Sequence, residues 1–328
     1  MSVLLIGESL INKITAPDGS TRLTPGGAML NVAIGLRHLG RTTRLVTDFG
    51  LDANGRILAE YAASNGLELW LRADSERTNP TSVSHVSLDA SGSASYSFDF
   101  TWDIQDKPFS GACKLDLDLL DPQSLAFGSA ACHLQPGAAK VRNWVEELRE
   151  NVTVFYDPNV RPALLGDIRE ARAVVESFAG YADVVKSSDE DIALVYGPNA
   201  SIEEVAGRWL ESGVLLAVVT CGSEGALMYS AAGETIHVPA RQVDVVNSSG
   251  AGDAFFAALI DGITRISLSG AANRDRLAAI SPTNLETLGA YAAAAASISV
   301  SRPGVNPPTR EELALAYDAY SFSTFAEA

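Results

Sequence analysis

Residues 250–253 read Gly-Ala-Gly-Asp, between the β-branched run Val-Asp-Val-Val at 243–246 and the apolar stretch "AFFAALIDG". Gly250 and Gly252 allow a tight turn and a close approach by a ligand, and the small side chain of Ala251 leaves that approach open. Asp253 then falls on the first turn of a helix, beside amide hydrogens that have no partner within the helix, a favourable place for an anion. The amides of Ala251, Gly252 and Asp253 suit the oxygens of a transferring group, and Asp253 suits the proton of an attacking hydroxyl. A plain capped helix with an acid near its positive end fits the same residues.

Three further loops fall at the ends of expected strands, where open parallel sheets place their ligand-binding residues. They are Gly26-Gly27 through Asn31, "DPNVR" at 157–161 and "TCGSEG" at 220–225. The positioning elements are legible around them. Residues 3–7, "VLLIG", read as a strand, and 27–39 as a helix with Val32, Leu36 and Leu39 at helical spacing. "TRLVTDFG" follows as a strand, then a helical run closed by Gly66 and the extended "LELWL". From residue 125 short apolar strands and helical stretches alternate, which predicts an α/β protein with a mostly parallel sheet covered on both faces. With no fixed-length repeat or long linker, one domain over 1–328 is expected.

Residues 78–103 differ. Val83, His85 or Val86 and Leu88, then Tyr96, Phe98 and Phe100, alternate with serines and other polar residues, which predicts strands exposed on one face. Together with residues 10–25 this segment would make a cover over a cleft, although an edge sheet of purely structural role has the same pattern.

Composition excludes several function classes. Forty acidic against 24 basic residues give a formal net charge of -16, which argues against a broad nucleic-acid surface. Cys113, Cys132 and Cys221 lack metal-ligand spacing and leave one thiol over in any disulfide scheme, so a reducing compartment is expected. "MSVLLIGES" is too short and unflanked for a signal peptide, and no run reaches membrane-spanning length. A cytoplasmic protein without a membrane partner is the expectation. There is no Walker motif, dinucleotide fingerprint or GxSxG elbow. His38, His85, His133 and His237 have no companions that would make a zinc set.

"GGAMLNVAIGLRHLG" at 26–40 resembles the N-terminal signature of the ribokinase-like sugar kinases, the PfkB carbohydrate kinase family, and "NSSGAGDAFFAALIDG" at 247–262 resembles their C-terminal signature. "DPNVR", "KSSDED", "TCGSEG" and "RPG" fall between and after them in family order. The resemblance implies a doubly wound α/β domain with a β-sheet lid at about 10–25 and 78–103, transferring the γ-phosphoryl group of ATP to a sugar hydroxyl. It puts Asp253 at the catalytic base and Gly250, Ala251 and Gly252 with it in an anion hole. Gly26, Gly27 and Asn31 match positions near the sugar; Thr220, Gly222 and Gly225 match the nucleotide-side turn. Glu190 matches an acidic position of the Mg²⁺ and phosphate network, accompanied by Lys186 and Ser188. These parts together supply positioning, proton removal and charge neutralisation.

Two departures from the family pattern bear on specificity. Asn12 stands where an aspartate often holds sugar hydroxyls; it can donate and accept but carries no charge. Asn247-Ser248-Ser249 replaces the usual Asp-Thr-Thr, which bears on a monovalent-cation site for an ion such as K⁺. "GES" near the start and "DPNVR" resemble the fructokinase branch, whereas "YSFDFTWDIQ" departs from its arginine-bearing lid segment. Arg161 suits a phosphate or substrate oxygen, or equally a solvent-facing ion pair. Alternatives are a 2-keto-3-deoxygluconate kinase or ribokinase, and a sugar- or nucleotide-binding regulatory protein without turnover. A homodimer joined at least partly through the lid is expected, with Phe98 close to the sugar cleft of its own or the partner chain; the alternative is a monomer whose aromatic side chains pack beneath the local sheet.

Overall fold

Strands apolar along their whole length need cover on both faces, and the chain supplies it. The computed structural model describes residues 1–89, 94–106, 121–164 and 167–316. The turn between the two later lid strands and Cys113 lie outside the described residues. The first half runs β1 (Ser2–Ile6), β2 (Leu10–Thr15), β3 (Thr21–Gly26), α1 (Ala28–His38), β4 (Thr42–Val46), α2 (Ala53–Ser64), β5 (Glu68–Trp70), β6 (Val83–Leu88), β7 (Ala94–Asp99), β8 (Pro122–Gly128) and α3 (Gly137–Leu148). The second half runs β9 (Thr153–Asp157), α4 (Ile168–Ala179), β10 (Val184–Ser188), α5 (Asp189–Tyr196), α6 (Ile202–Glu211), β11 (Leu216–Thr220), β12 (Ala226–Ser230), β13 (Thr235–Val238), α7 (Ala251–Arg265), α8 (Arg274–Ala278), α9 (Pro282–Val300) and α10 (Arg310–Ala316).

The main sheet has the order β13-β12-β11-β10-β9-β8-β1-β4-β5. It is parallel from β11 to β5, and β12 and β13 add an antiparallel edge. Side chains alternate across it to make two cores. Val3, Leu5, Leu45 and Phe155 pack with α1, α7 and α9, while Leu4, Ile6, Val46 and Tyr156 pack with α3, α4 and α6. From β1 the chain winds outward to β4 and β5, then returns to place β8 on the other side of β1. This is the doubly wound arrangement expected, with its crevice at the carboxyl ends of the strands around β1 and β8.

The cover is a separate sheet of order β3-β2-β6-β7. Residues 10–25 join it as strands: β2 and β3 form an antiparallel hairpin and β2 pairs in parallel with β6. The expected run of three aromatic residues is shortened. Tyr96 and Phe98 share a face of β7, but β7 ends at Asp99, and Phe100 packs against the main core instead. Trp102 and Ile104 continue inward, with the Trp102 indole donating to the Ala131 carbonyl at 3.0 Å.

Candidate active site

The turn that opens α7 is built as its residue types require. Gly250 is the N-cap with φ +80, a left-handed conformation that favours glycine, and a Cβ there would come within 2.7 Å of Val305. The "RPG" stretch therefore leads directly into a residue that backs the turn. Ala251 N–H donates to the Ser248 carbonyl at 3.3 Å, closing the turn locally. Of the three amides expected to face a ligand, Ala251's is thus engaged, leaving those of Gly252 and Asp253 at the positive end of the helix.

Asp253 is 9% exposed, and its Oδ2 accepts a 2.8 Å hydrogen bond from Asn31 Nδ2, one turn into α1. Burial raises its pKa; the Asn31 bond and the charges of Lys186 and Arg161 oppose that rise. A carboxylate so held has an increased proton affinity and a fixed direction, both useful to a general base. Asn31 has a second role available, because its buried Oδ1 has no hydrogen-bond partner among the described residues.

The N-terminal motif gathers beside it. Gly27 caps α1 at φ +123, and a Cβ would collide with the Glu8 carbonyl; at Gly26 a Cβ would collide with Asn12 Nδ2. Asn12 thus lies directly over the β3–α1 junction. In the lid sheet Thr24, Asn12, Ser84 and Phe98 form one cross-strand row. Paired residues share a face, so Asn12 and Phe98 lie on the same side of the lid.

The strand ends of β9, β10 and β11 carry the remaining candidates. Lys186 is 4% exposed, and its ammonium donates to Asp157 Oδ2 at 3.1 Å. Its Nζ also lies 2.9 Å from where a Cβ on Gly252 would sit, so glycine there makes room for a lysine. Ser188 caps α5 in a reciprocal box with Asp191, committing its hydroxyl to the helix end. Glu190 is exposed in the first turn of α5, and Arg161 is exposed beyond β9. Thr220 Oγ1 donates to the Ser187 carbonyl at 3.3 Å. The two glycines of the following turn separate: Gly222 faces open space at φ +52, whereas Gly225 packs tightly on the Val238–Ala240 backbone.

Three acids at this edge were not singled out from the sequence. Glu8 is 3% exposed and accepts from Ala28 N–H at 3.3 Å and Ala131 N–H at 3.2 Å, so it ties the start of α1 to the segment after β8. Asp191 accepts from Val160 N–H and fixes the "DPNVR" loop. Asp157 is fully buried, and burial together with Asp191 and Asp253 pushes its pKa up to about 7 against the pull of Lys186. An acid at the carboxyl end of an apolar strand is the signal for Glu8, two residues past β1, and for Asp157, the last residue of β9, since such a residue sits at the sheet edge where ligands bind. Among the described residues no group of three or more His, Cys, Asp or Glu side chains is disposed to hold a metal ion, and no helix is long and apolar enough to cross a membrane.

Comparison with known proteins agrees with this fold. A fructokinase of Rhizobium leguminosarum bv. trifolii is 30% identical over 266 residues, covering 79% of this chain and 78% of the relative. An aminoimidazole riboside kinase of Salmonella typhimurium is 28% identical over 267 residues, covering 80% and 81%. The solved structure of a fructokinase with bound ATP from Xylella fastidiosa superposes with a TM-score of 0.81 at 23% identity, covering 97% of this chain and 99% of that one. The model of the pfkB family carbohydrate kinases matches residues 2–312, and the chain belongs to that family.

Proposed function

We propose that this protein transfers the γ-phosphoryl group of ATP to a hydroxyl of a sugar, with fructose as the preferred acceptor. The observation that carries the reading is Asp253: a buried carboxylate at the positive end of α7, aimed by Asn31. The acceptor oxygen forms its bond to the γ-phosphorus as the bond from that phosphorus to the bridging oxygen of ADP breaks. The acceptor's proton passes to Asp253, and the two electrons of the broken bond leave with ADP. The Gly252 and Asp253 amides and the Lys186 ammonium meet the negative charge on the phosphoryl oxygens. Asn31 Oδ1 and the Asn12 amide are the acceptor and donor for sugar hydroxyls, and Phe98 flanks them from the lid.

Glu190 is the residue for magnesium. A single exposed carboxylate fits that ion, which keeps most of its water and takes further oxygens from the phosphates. When bound, magnesium would neutralise phosphate charge. Asn247 offers a monovalent cation no carboxylate, and its Oδ1 already accepts from Ser249 N–H. Thr220 and Gly222 border the nucleotide, with Gly222 leaving room for it.

Fructokinases among the relatives favour fructose, and the aminoimidazole riboside kinase favours a riboside as the second reading. Measuring phosphorylated product with ATP, Mg²⁺ and fructose, ribose, 2-keto-3-deoxygluconate or aminoimidazole riboside decides between them. Fructose is expected to give the highest kcat/KM; a higher value for another acceptor would reassign the substrate. Binding without product across the whole set would leave a regulatory protein.

A further inference from the structure

Asp157 has no place in the chemistry above, yet its surroundings are unusual. It ends β9 with no solvent exposure, Lys186 Nζ is its partner at 3.1 Å, and its Oδ1 has no hydrogen-bond partner among the described residues. A buried carboxylate with one satisfied oxygen is an expensive arrangement for stability alone. The groups whose charges bear on it are Lys186 from β10, Asp191 from α5 and Asp253 from α7, and its own charge acts on Tyr156 and Cys132. Asp191 has Ser188 and Val160 as donors and Asp253 has Asn31, so neither depends on the lysine for its hydrogen bonds. The lysine itself is long, flexible and nearly buried, with its ammonium pressed under Gly252 of the α7 turn, which has no side chain to exclude it. Without an anchor on the opposite side, that charge would be free to swing out of register with the turn.

We propose that Asp157 is a positioning residue for phosphoryl transfer: it holds the Lys186 ammonium against the Gly252 turn, where that charge meets the oxygens of the transferring group. The inference rests on the kinase reading and extends it by one residue. Its consequence is a dependence that runs through the lysine. Asp157→Asn should lower kcat at least about tenfold while KM for the sugar stays within about twofold, because the interaction lost belongs to the transition state. In a Lys186→Met background the same substitution should change kcat by less than about twofold, since nothing remains for Asp157 to position.

The experiment measures kcat and KM for ATP and for fructose, or for whichever acceptor the parent prefers, in the parent, both single variants and the double variant, with thermal melting of each. Loss in the parent background and none in the Lys186→Met background supports the proposal. Unchanged kcat in a folded Asp157→Asn protein overturns it, as does an equal loss in both backgrounds. Breaking a buried pair on one side is strongly destabilising, whereas replacing both members often is not. If Asp157→Asn does not fold, Asp157→Glu carries the test, because it keeps the carboxylate charge but displaces the anchor of Lys186 by one methylene. A kcat lowered about tenfold at retained sugar KM is then the supporting result, and parental kcat the overturning one. A parent that phosphorylates no acceptor overturns the kinase reading and this inference together; an active parent matched by its Asp157→Asn variant overturns the inference alone.

Discussion

The contacts Lys186–Asp157 and His85–Asp99 are similar in length, 3.1 and 2.9 Å, and opposite in setting. The first joins side chains that are 5% and 0% exposed at the edge of the main sheet; the second joins side chains 35% and 82% exposed on the lid. Water and salt screen the lid pair, so it contributes about 0–1 kcal/mol and can break as the sheet moves. The rim pair cannot be rearranged so cheaply. The edge of the main sheet at β9 and β10 therefore holds a charge pair that is buried and fixed, and the lid one that is open to solvent. Such a division suits a rigid reaction centre under a cover that opens for substrate.

Substitutions at the rim should cost turnover, and those at the lid should cost affinity or assembly. Asp253→Asn should lower kcat at least about 10²-fold while nucleotide affinity, measured by calorimetry, stays near the parent's. A folded variant with parental kcat would remove Asp253 from the chemistry. Gly252→Ala introduces a methyl 2.9 Å from Lys186 Nζ; displacing that ammonium should lower kcat by about tenfold or more, read in the same assay. For Glu190→Gln the expected change is smaller, a rise of a few fold in the Mg²⁺ concentration for half-maximal rate at fixed free ATP. An unchanged magnesium titration would place Glu190 at a helix end and nothing more.

The lid gives the smallest effect on chemistry. Arg22, Ile14, Val86 and Tyr96 form the row next to Asn12 and Phe98 on the same face, and Tyr96 is 59% exposed. Val86 is buried in this row, so Tyr96 and the half-buried Ile14 are the apolar side chains it offers to a second copy of the sheet. Tyr96→Asp should shift sedimentation at micromolar concentration from dimer to monomer, with kcat changed by less than about threefold. A parent that sediments as a monomer would contradict the dimer.

Much of this division is legible in the sequence. Burial on both faces demands apolar strands, so the main sheet announces itself; exposure on one face demands alternation, so β6 and β7 do too. The pairing of β2 with β6 does not, because nothing local in residues 10–15 or 83–88 specifies a parallel partner some seventy residues away. Asp253, Gly250 and Gly252 stand out because backbone conformation and close approach select residue types there. Glu8 and Asp157 lie in the stretches "GES" and "DPNVR" but received no role of their own for the converse reason: an acid at the end of a strand looks like a solvated loop residue until the fold buries it. The bond from Asn31 to Asp253 spans 222 positions in the chain. Each residue sits on its own helix, and the packing of α1 on α7 supplies the bond between them.

The central claim is that Asp253, buried and aimed by Asn31, takes the proton of the acceptor hydroxyl. The dependence of kcat/KM on pH tests it most directly, because that ratio reports the ionisation of the free enzyme's essential groups. A base must be deprotonated to act, and burial raises the pKa of Asp253 above the usual aspartate value of 3.8. Activity should therefore fall with decreasing pH through an ionisation centred above that value, and Asp253→Asn should show only a low residual rate without that limb. A parent limb centred at or below the ordinary aspartate value, or the same limb persisting in Asp253→Asn, would contradict the account.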